Sequence, residues 1–298
     1  MTRARRSVLI CPGGNPRMVA KAAALPADEV ILDLEDAVAP NGKEFARSEL
    51  VRLVESTDFG SRTLAVRVNR VGSAEALLDL LTLVPQIGHR LDCVVVPKVS
   101  SVAEVGFVHH CLASLEAESG LERPIGIEIQ IENPAGLEAV SALATASPRL
   151  EALIFGPGDF AAAMGMPQLS IGGPGGDYPG DIWHYPLFAI AVAARAHGLQ
   201  VIDGPYSQIQ DLAGLERACQ RGAALGLDGK WAIHPSQLES VNRIFSPTSA
   251  QLERARAVLE RIRAHGGASG LEGEMVDEAS RRMAEAILSR AGQARGGA

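Results

Sequence analysis

A chain of 298 residues, 47% hydrophobic and 21% charged, has the make-up of a globular protein with a sizeable core. Its net charge of −7 is scattered over single Asp and Glu residues with no basic stripe, which argues against nucleic acid as a partner. No run of about 18 apolar residues is present to span a bilayer, and the SVLIC stretch behind Arg3, Arg5 and Arg6 is too short for a secretory core, so no membrane partner and a cytoplasmic location are expected.

Taken in chain order, short β-branched runs at 7–13, 29–37, 63–69, 92–99, 125–132, 150–159, 199–205 and 230–236 read as eight strands. Segments of helical period lie between them, at 17–25, 43–54, 74–84, 102–118, 135–144, 186–198 and 211–226, with Gly198 and Gly226 as helix stops. Eight strands alternating with helices and joined by right-handed crossovers predict a (β/α)8 TIM barrel over residues 1–235. Two regions break the rhythm. Residues 168–183 (QLSIGGPGGDYPGDIW) are too rich in Gly and Pro for a regular element and predict a functional loop after strand six. Residues 236–298 predict a helical extension, two amphipathic helices joined by a flexible Gly-rich hinge at 268–273, that caps the barrel or reaches a neighbouring subunit.

Cys11, Cys93, Cys111 and Cys219 show no CxxC spacing and read as reduced, mostly buried thiols. His109 and His110 diverge by about 100° on a helix and read as a solvated face.

Chemistry on a barrel of this kind gathers at the C-terminal strand ends, and nearly every strand delivers an ionisable group there: Asp33, Glu35 and Asp36, then Arg67 with Asn69, Lys98, Glu132, Asp159, Asp203 and His234. Strand five has legible parity. Ile127, Ile129 and Ile131 share one face, to pack on outer helices, while Glu128, Gln130 and Glu132 share the other and point inward. Glu128 divides evenly between a structural ion pair and a functional role, whereas Glu132, nearest the rim, reads as functional. Glu132 and Asp159, on consecutive strands, can converge on one point, and so few hard oxygen ligands suit Mg²⁺, with Mn²⁺ as a substitute. Arg67 offers a rigid fork for a carboxylate or a developing oxyanion, or else a salt bridge to Glu35 or Asp36. GPGDFA at 156–161 fits a dinucleotide pattern, but Asp159 would oppose the pyrophosphate; no GxSxG elbow or P-loop occurs; and Lys98, among so many acids, reads as charged and paired rather than as a Schiff-base amine.

At these residues the sequence resembles the HpcH/HpaI aldolase and citrate lyase β-subunit family, and within it the malyl-CoA and citramalyl-CoA lyases. The similarity runs from RSVLICPGGNPRM through LDLEDAVAP, AVRVN, VVVPKV, EIQIEN, FGPGDFAAAMGM and YPGDIWHYP to VIDGPY, DGKWAIHPSQ and MVDEAS. The resemblance implies a magnesium-dependent carbon–carbon lyase acting on a 2-hydroxyacyl-CoA thioester, with Mg²⁺ held by Glu132 and Asp159. It implies that Arg67 lies beside the thioester and 2-oxo acid, that Glu35 and Asp36 support the metal and Arg67, and that Arg17, Met18 and Lys21 contact coenzyme A. It also implies a homo-oligomer, trimer or hexamer, in which Asp277 of the tail acts on an adjacent subunit's site as the acid–base residue. Strand five ends in IEN where similar proteins often have IET or IES, so Asn133 is expected to alter contacts to the keto acid. The rival readings are a malyl-CoA thioesterase using the same site and a citrate-lyase-β-like component of a larger complex.

Overall fold

The computed structural model describes residues 3–271 and 273–296. Eight parallel strands close into a barrel in chain order: β1 (Ser7–Pro12), β2 (Glu29–Asp33), β3 (Thr63–Arg67), β4 (Cys93–Val96), β5 (Gly126–Ile131), β6 (Leu150–Phe155), β7 (Gln200–Asp203) and β8 (Gly229–Ala232), with β8 pairing back onto β1. Both faces of such strands are covered, so their sequences run nearly continuously apolar. The isoleucines of β5 pack outward in the large core between sheet and helices. A second cluster, including Val8, Ile31, Ala65, Val95, Ile154, Ile202 and Trp231, fills the barrel itself.

Below that cluster, at the N-terminal floor, Arg5 is 2% exposed. Its guanidinium donates to Glu29 (2.7 Å), Glu128 (2.9 Å), Gln200 (2.5 Å) and Glu151 (2.7 Å). Glu128 therefore takes the structural pairing left open above. The thiols of Cys11, Cys93 and Cys219 are buried and Cys111 is partly so, all without disulfides.

Helices follow the strands: α1 (Pro16–Ala24), α2 (Lys43–Ser56), α3 (Ala74–Ile87), α4 (Val102–Ser119), α5 (Pro134–Glu138), α6 (Val140–Leu143), α7 (Pro157–Ala163), α8 (His184–Ala196) and α9 (Leu212–Ala224). The helix expected over 135–144 is split in two, and GPGDFA opens the short helix α7 with Pro157 in its first turn. After β8, α10 (Leu238–Ile244) packs on α9, β1 and β8. By its contacts it is the barrel's eighth helix, although it lies beyond residue 235. The rest of the tail is α11 (Ser249–His265), an antiparallel hairpin of β9 (Ser269–Leu271) and β10 (Glu274–Val276), and α12 (Glu278–Gly296). Within the segment expected to be a flexible Gly-rich hinge, Ser269–Leu271 pairs with Glu274–Val276, while Glu272 lies outside the described residues. Val276 and Ala284 close a small core with Ala255 and Val258 of α11. Among the described residues no helix is long and apolar enough to cross a membrane.

Candidate active site

At the C-terminal mouth a cavity of about 400 Å³ is bounded by Asp33, Asp36, Arg67, Gln130, Glu132 and Asp159, with an apolar wall that includes Ile10, Ile171, Trp231 and Ile233. Strand register brings the first groups together, since Asp33 lies opposite Arg67 on adjacent strands. Asp33 grips that guanidinium through both oxygens, at 2.7 Å from Nε and 2.7 Å from Nη2. Nη1 donates to Gln130 Oε1 at 3.4 Å and lies 3.2 Å from Glu35. Trp231 stacks beneath the guanidinium at 5.5 Å from the ring centroid. Arg67 is therefore fully oriented, and its pKa is raised: burial opposes the charge, but Asp33 and Glu35 more than offset it.

Glu132 follows β5 and is 2% exposed. Its Oε1 accepts the backbone N–H of Lys98 at 2.6 Å and its Oε2 accepts Gln130 Nε2 at 3.2 Å. Burial, and then the like charge of Asp159, push its carboxyl up to about 8 against the pull of Lys98 and Arg67. Lys98 Nζ donates to Glu35 at 2.5 Å and to Asp36 at 3.0 Å, and lies 3.5 Å from Asp159. Burial works against that ammonium, but its hydrogen bond to Glu35 and the surrounding carboxylates hold its pKa above the usual lysine value. A charged, tightly paired lysine is no Schiff-base nucleophile, as its company in the sequence suggested.

The donor set fits a hard divalent cation. Two carboxylates face one cavity, one of them destabilised by burial and by the other, and a cation between them relieves both effects. Among the described residues no three His, Cys, Asp or Glu side chains group closely enough to hold a metal alone. An ion such as Mg²⁺ keeps waters and substrate oxygens beside one or two carboxylates.

A second cavity of about 390 Å³ abuts the first and is lined by Asn15, Arg17, Met18, Lys21 and His234. Ile10, Cys11, Met18 and Ile233 border both. The loop at 168–183 contributes Ile171 to the first cavity.

Of the residues singled out in the sequence, the structure gathers Arg67, Glu35, Asp36, Glu132 and Asp159 at one rim and Arg17, Met18 and Lys21 beside it. Asp277 does not line either cavity of its own chain; its Oδ1 accepts Ala279 N (2.9 Å) and Ser280 N (3.1 Å), capping α12. Asn133 does not line the first cavity either, because its side chain bonds to backbone groups. Sequence reasoning passed over Asp33 as the partner of Arg67, although the parity of LDLED puts Asp33 inside the barrel with Arg67 opposite. Trp231 beneath Arg67 carried no comparable signal.

Ionisable groups at a barrel mouth suit many reactions, and similarity to known proteins settles which: the chain is a carbon–carbon lyase on a TIM barrel. A model described as a carbon–carbon bond lyase of the TIM-barrel fold matches residues 187–293. The chain belongs to the HpcH/HpaI aldolase/citrate lyase family, whose model matches residues 6–235. It is 38% identical to an L-malyl-CoA/β-methylmalyl-CoA lyase of Cereibacter sphaeroides, across 97% of this chain and 95% of that one. It is 34% identical to a (3S)-malyl-CoA thioesterase of the same species, over 96% and 94%. The structure of CitE from Mycobacterium tuberculosis in complex with magnesium, acetoacetate and coenzyme A covers 97% of this chain and 98% of its own at 31% identity, with a TM-score of 0.76.

Proposed function

We propose that the protein cleaves, or in reverse condenses, a short 2-hydroxyacyl-CoA such as malyl-CoA, β-methylmalyl-CoA or citramalyl-CoA. The products are glyoxylate or pyruvate and acetyl-CoA or propionyl-CoA. One observation carries the reading: the cavity holding Glu132 and Asp159 shares a wall with a second cavity bearing Arg17, Met18 and Lys21, so an anionic head and a long thioester arm have adjoining places.

Glu132 and Asp159 hold Mg²⁺, for which Mn²⁺ can substitute, and the bound ion supplies Lewis-acid polarisation of the hydroxy-acid end. Arg67, its plane fixed by Asp33 and Gln130, keeps Nη hydrogens for the charge that builds on the thioester oxygen as the carbon–carbon bond breaks. Glu35 and Asp36 keep Lys98 charged and in place beside this pair. Asp277, as carboxylate, takes the proton that the hydroxyl loses as the keto acid departs, and then delivers it to the carbon of the thioester enolate. Asp277 acts from an adjacent subunit of a trimer or hexamer. Arg17 and Lys21 meet the phosphates of coenzyme A, and the work takes place in the cytoplasm.

The test is a cleavage assay with malyl-CoA, β-methylmalyl-CoA and citramalyl-CoA, with and without chelator, with Asp277→Ala as control. Chelator-sensitive release of glyoxylate or pyruvate is expected, and turnover indifferent to chelation overturns the metal reading. The similarity to a malyl-CoA thioesterase supports a second outcome, free malate in place of glyoxylate.

A further inference from the structure

Among the described residues, Lys98 is the one non-glycine in the left-handed backbone region, with φ 55°. Residues with a Cβ rarely rest there, and they stay only where their surroundings over-determine them. The conformation serves the site. It turns the Lys98 N–H onto Glu132 Oε1 at 2.6 Å while the side chain of Lys98 runs back to Glu35 and Asp36.

What holds it is Asn133, the residue after Glu132. Its Nδ2 donates to the Lys98 carbonyl at 3.3 Å and to the Val99 carbonyl at 3.2 Å. Its Oδ1 accepts the N–H of Gly136 at 2.8 Å and so caps α5. The two loops meet with no space between them, because a Cβ on Gly136 would stand 2.4 Å from the Val99 carbonyl oxygen. Val99 N donates to Gln130 O at 3.3 Å, which ties the β4 loop to β5 from the other side.

We infer that Asn133 is a positioning residue for cation binding: by holding the Lys98 and Val99 carbonyls it fixes the backbone angles of Lys98, and with them the Lys98 N–H of the preceding peptide that orients the carboxylate of Glu132. The inference rests on the reading of Glu132 and Asp159 as ligands. Asn133 lies outside the lining of the first cavity, so its effect reaches the ion through Lys98 and the carboxylates that Lys98 touches, Glu132 foremost. Mg²⁺ and Mn²⁺ need oxygens set close to octahedral positions, and a carboxylate free to swing loses affinity. Removing a partner that orients a ligand typically weakens metal binding about 10- to 100-fold.

Asn133→Ser keeps an oxygen to cap α5 and deletes both amide donations; Gly136→Ala attacks the same junction from the facing side. Mn²⁺ is titrated into the metal-free full-length protein without substrate, and the free ion is counted by electron paramagnetic resonance. Each variant is expected to bind Mn²⁺ about tenfold more weakly or worse. Cleavage at saturating magnesium should return to within about threefold of the parent, a KM-type defect for the metal rather than a loss of kcat. Parent-like Mn²⁺ affinity in either folded variant overturns the positioning role and leaves the metal site standing. Failure of the parent itself to take up Mn²⁺ overturns the metal reading, and the inference with it.

Discussion

Gly156→Ala adds a single methyl group where β6 passes Glu132. A Cβ at Gly156 would sit 2.3 Å from Glu132 Oε2 and 2.5 Å from Glu132 Cβ, about 1 Å inside ordinary contact. The backbone cannot easily yield, since Gly156 N donates to Ile131 O at 3.0 Å and holds the strands in register. Turning the Glu132 side chain relieves the Oε2 contact but not the Cβ one, so the strand ends must part and carry the carboxylate with them. A misplacement of about 1 Å at a reacting centre costs on the order of 100-fold, equivalent to about 2.7 kcal/mol of barrier. Overpacking adds a stability loss of about 1–3 kcal/mol. Gly158→Ala makes the same chemical change two residues on, where the nearest atom to the new Cβ would be in the flexible side chain of Ile171 at 3.3 Å, so a loss below about fivefold is expected. Steady-state kcat/KM on malyl-CoA at saturating magnesium, with thermal melts of both variants, separates the two effects. A folded Gly156→Ala protein retaining at least a third of parental kcat/KM would refute the claim that Glu132 must sit where it does.

Glu132→Gln or Asp159→Asn should lower cleavage on the order of a thousandfold, since each removes a ligand from a cation worth several kcal/mol in the transition state. The metal-free protein should also show a pH signature of Glu132. Its folded pKa of about 8 lies above the unfolded carboxylate value, so the protonated group contributes stability that is fully present below about pH 4.5 and is lost as pH rises through 8. Melting temperatures in chelator should fall across that window, and Glu132→Gln should flatten that part of the profile. At the barrel floor, Arg5→Met strands Glu29 and Glu128 without a cation and should cost about 3–5 kcal/mol in urea unfolding, whereas adding Glu29→Gln and Glu128→Gln should recover much of it. If Asp277 serves a neighbour's site, inactive Asp277→Ala and Asp159→Asn chains co-refolded together should regain part of the activity; mixtures as inactive as their parents would place its action elsewhere.

Most of the architecture was legible because a parallel barrel buries both faces of its strands, and runs such as EVILD and GIEIQI announce that directly. The parity of strand five assigned Glu128 and Glu132 to the interior, since alternation is a property of the backbone and needs no partner. What the sequence left open depended on partners far along the chain. Whether Glu128 was structural turned on Arg5, 123 residues away, entering from beneath the barrel. The tail segment read as a loose hinge because Gly-rich composition suits paired strands as readily as a linker, and only the pairing of Ser269 with Val276 shows which. Asn133 drew notice because IEN stands where similar sequences have IET or IES; its hydrogen bonds to the Lys98, Val99 and Gly136 backbone surround a left-handed residue at Lys98, a feature with no sequence signal when it falls on a residue other than glycine or asparagine.

The partition between the two cavities, made by Ile10, Cys11, Met18 and Ile233, carries no charged side chain. In the proposed reading the acyl-CoA spans both cavities, so its sulfur passes this apolar partition while its carbonyl oxygen meets Arg67, and a water for hydrolysis would have to be held from the first-cavity side. A substitution that brought a polar side chain to Met18 or Ile233 would wet the sulfur and open a hydrolytic leak without touching the lyase groups themselves.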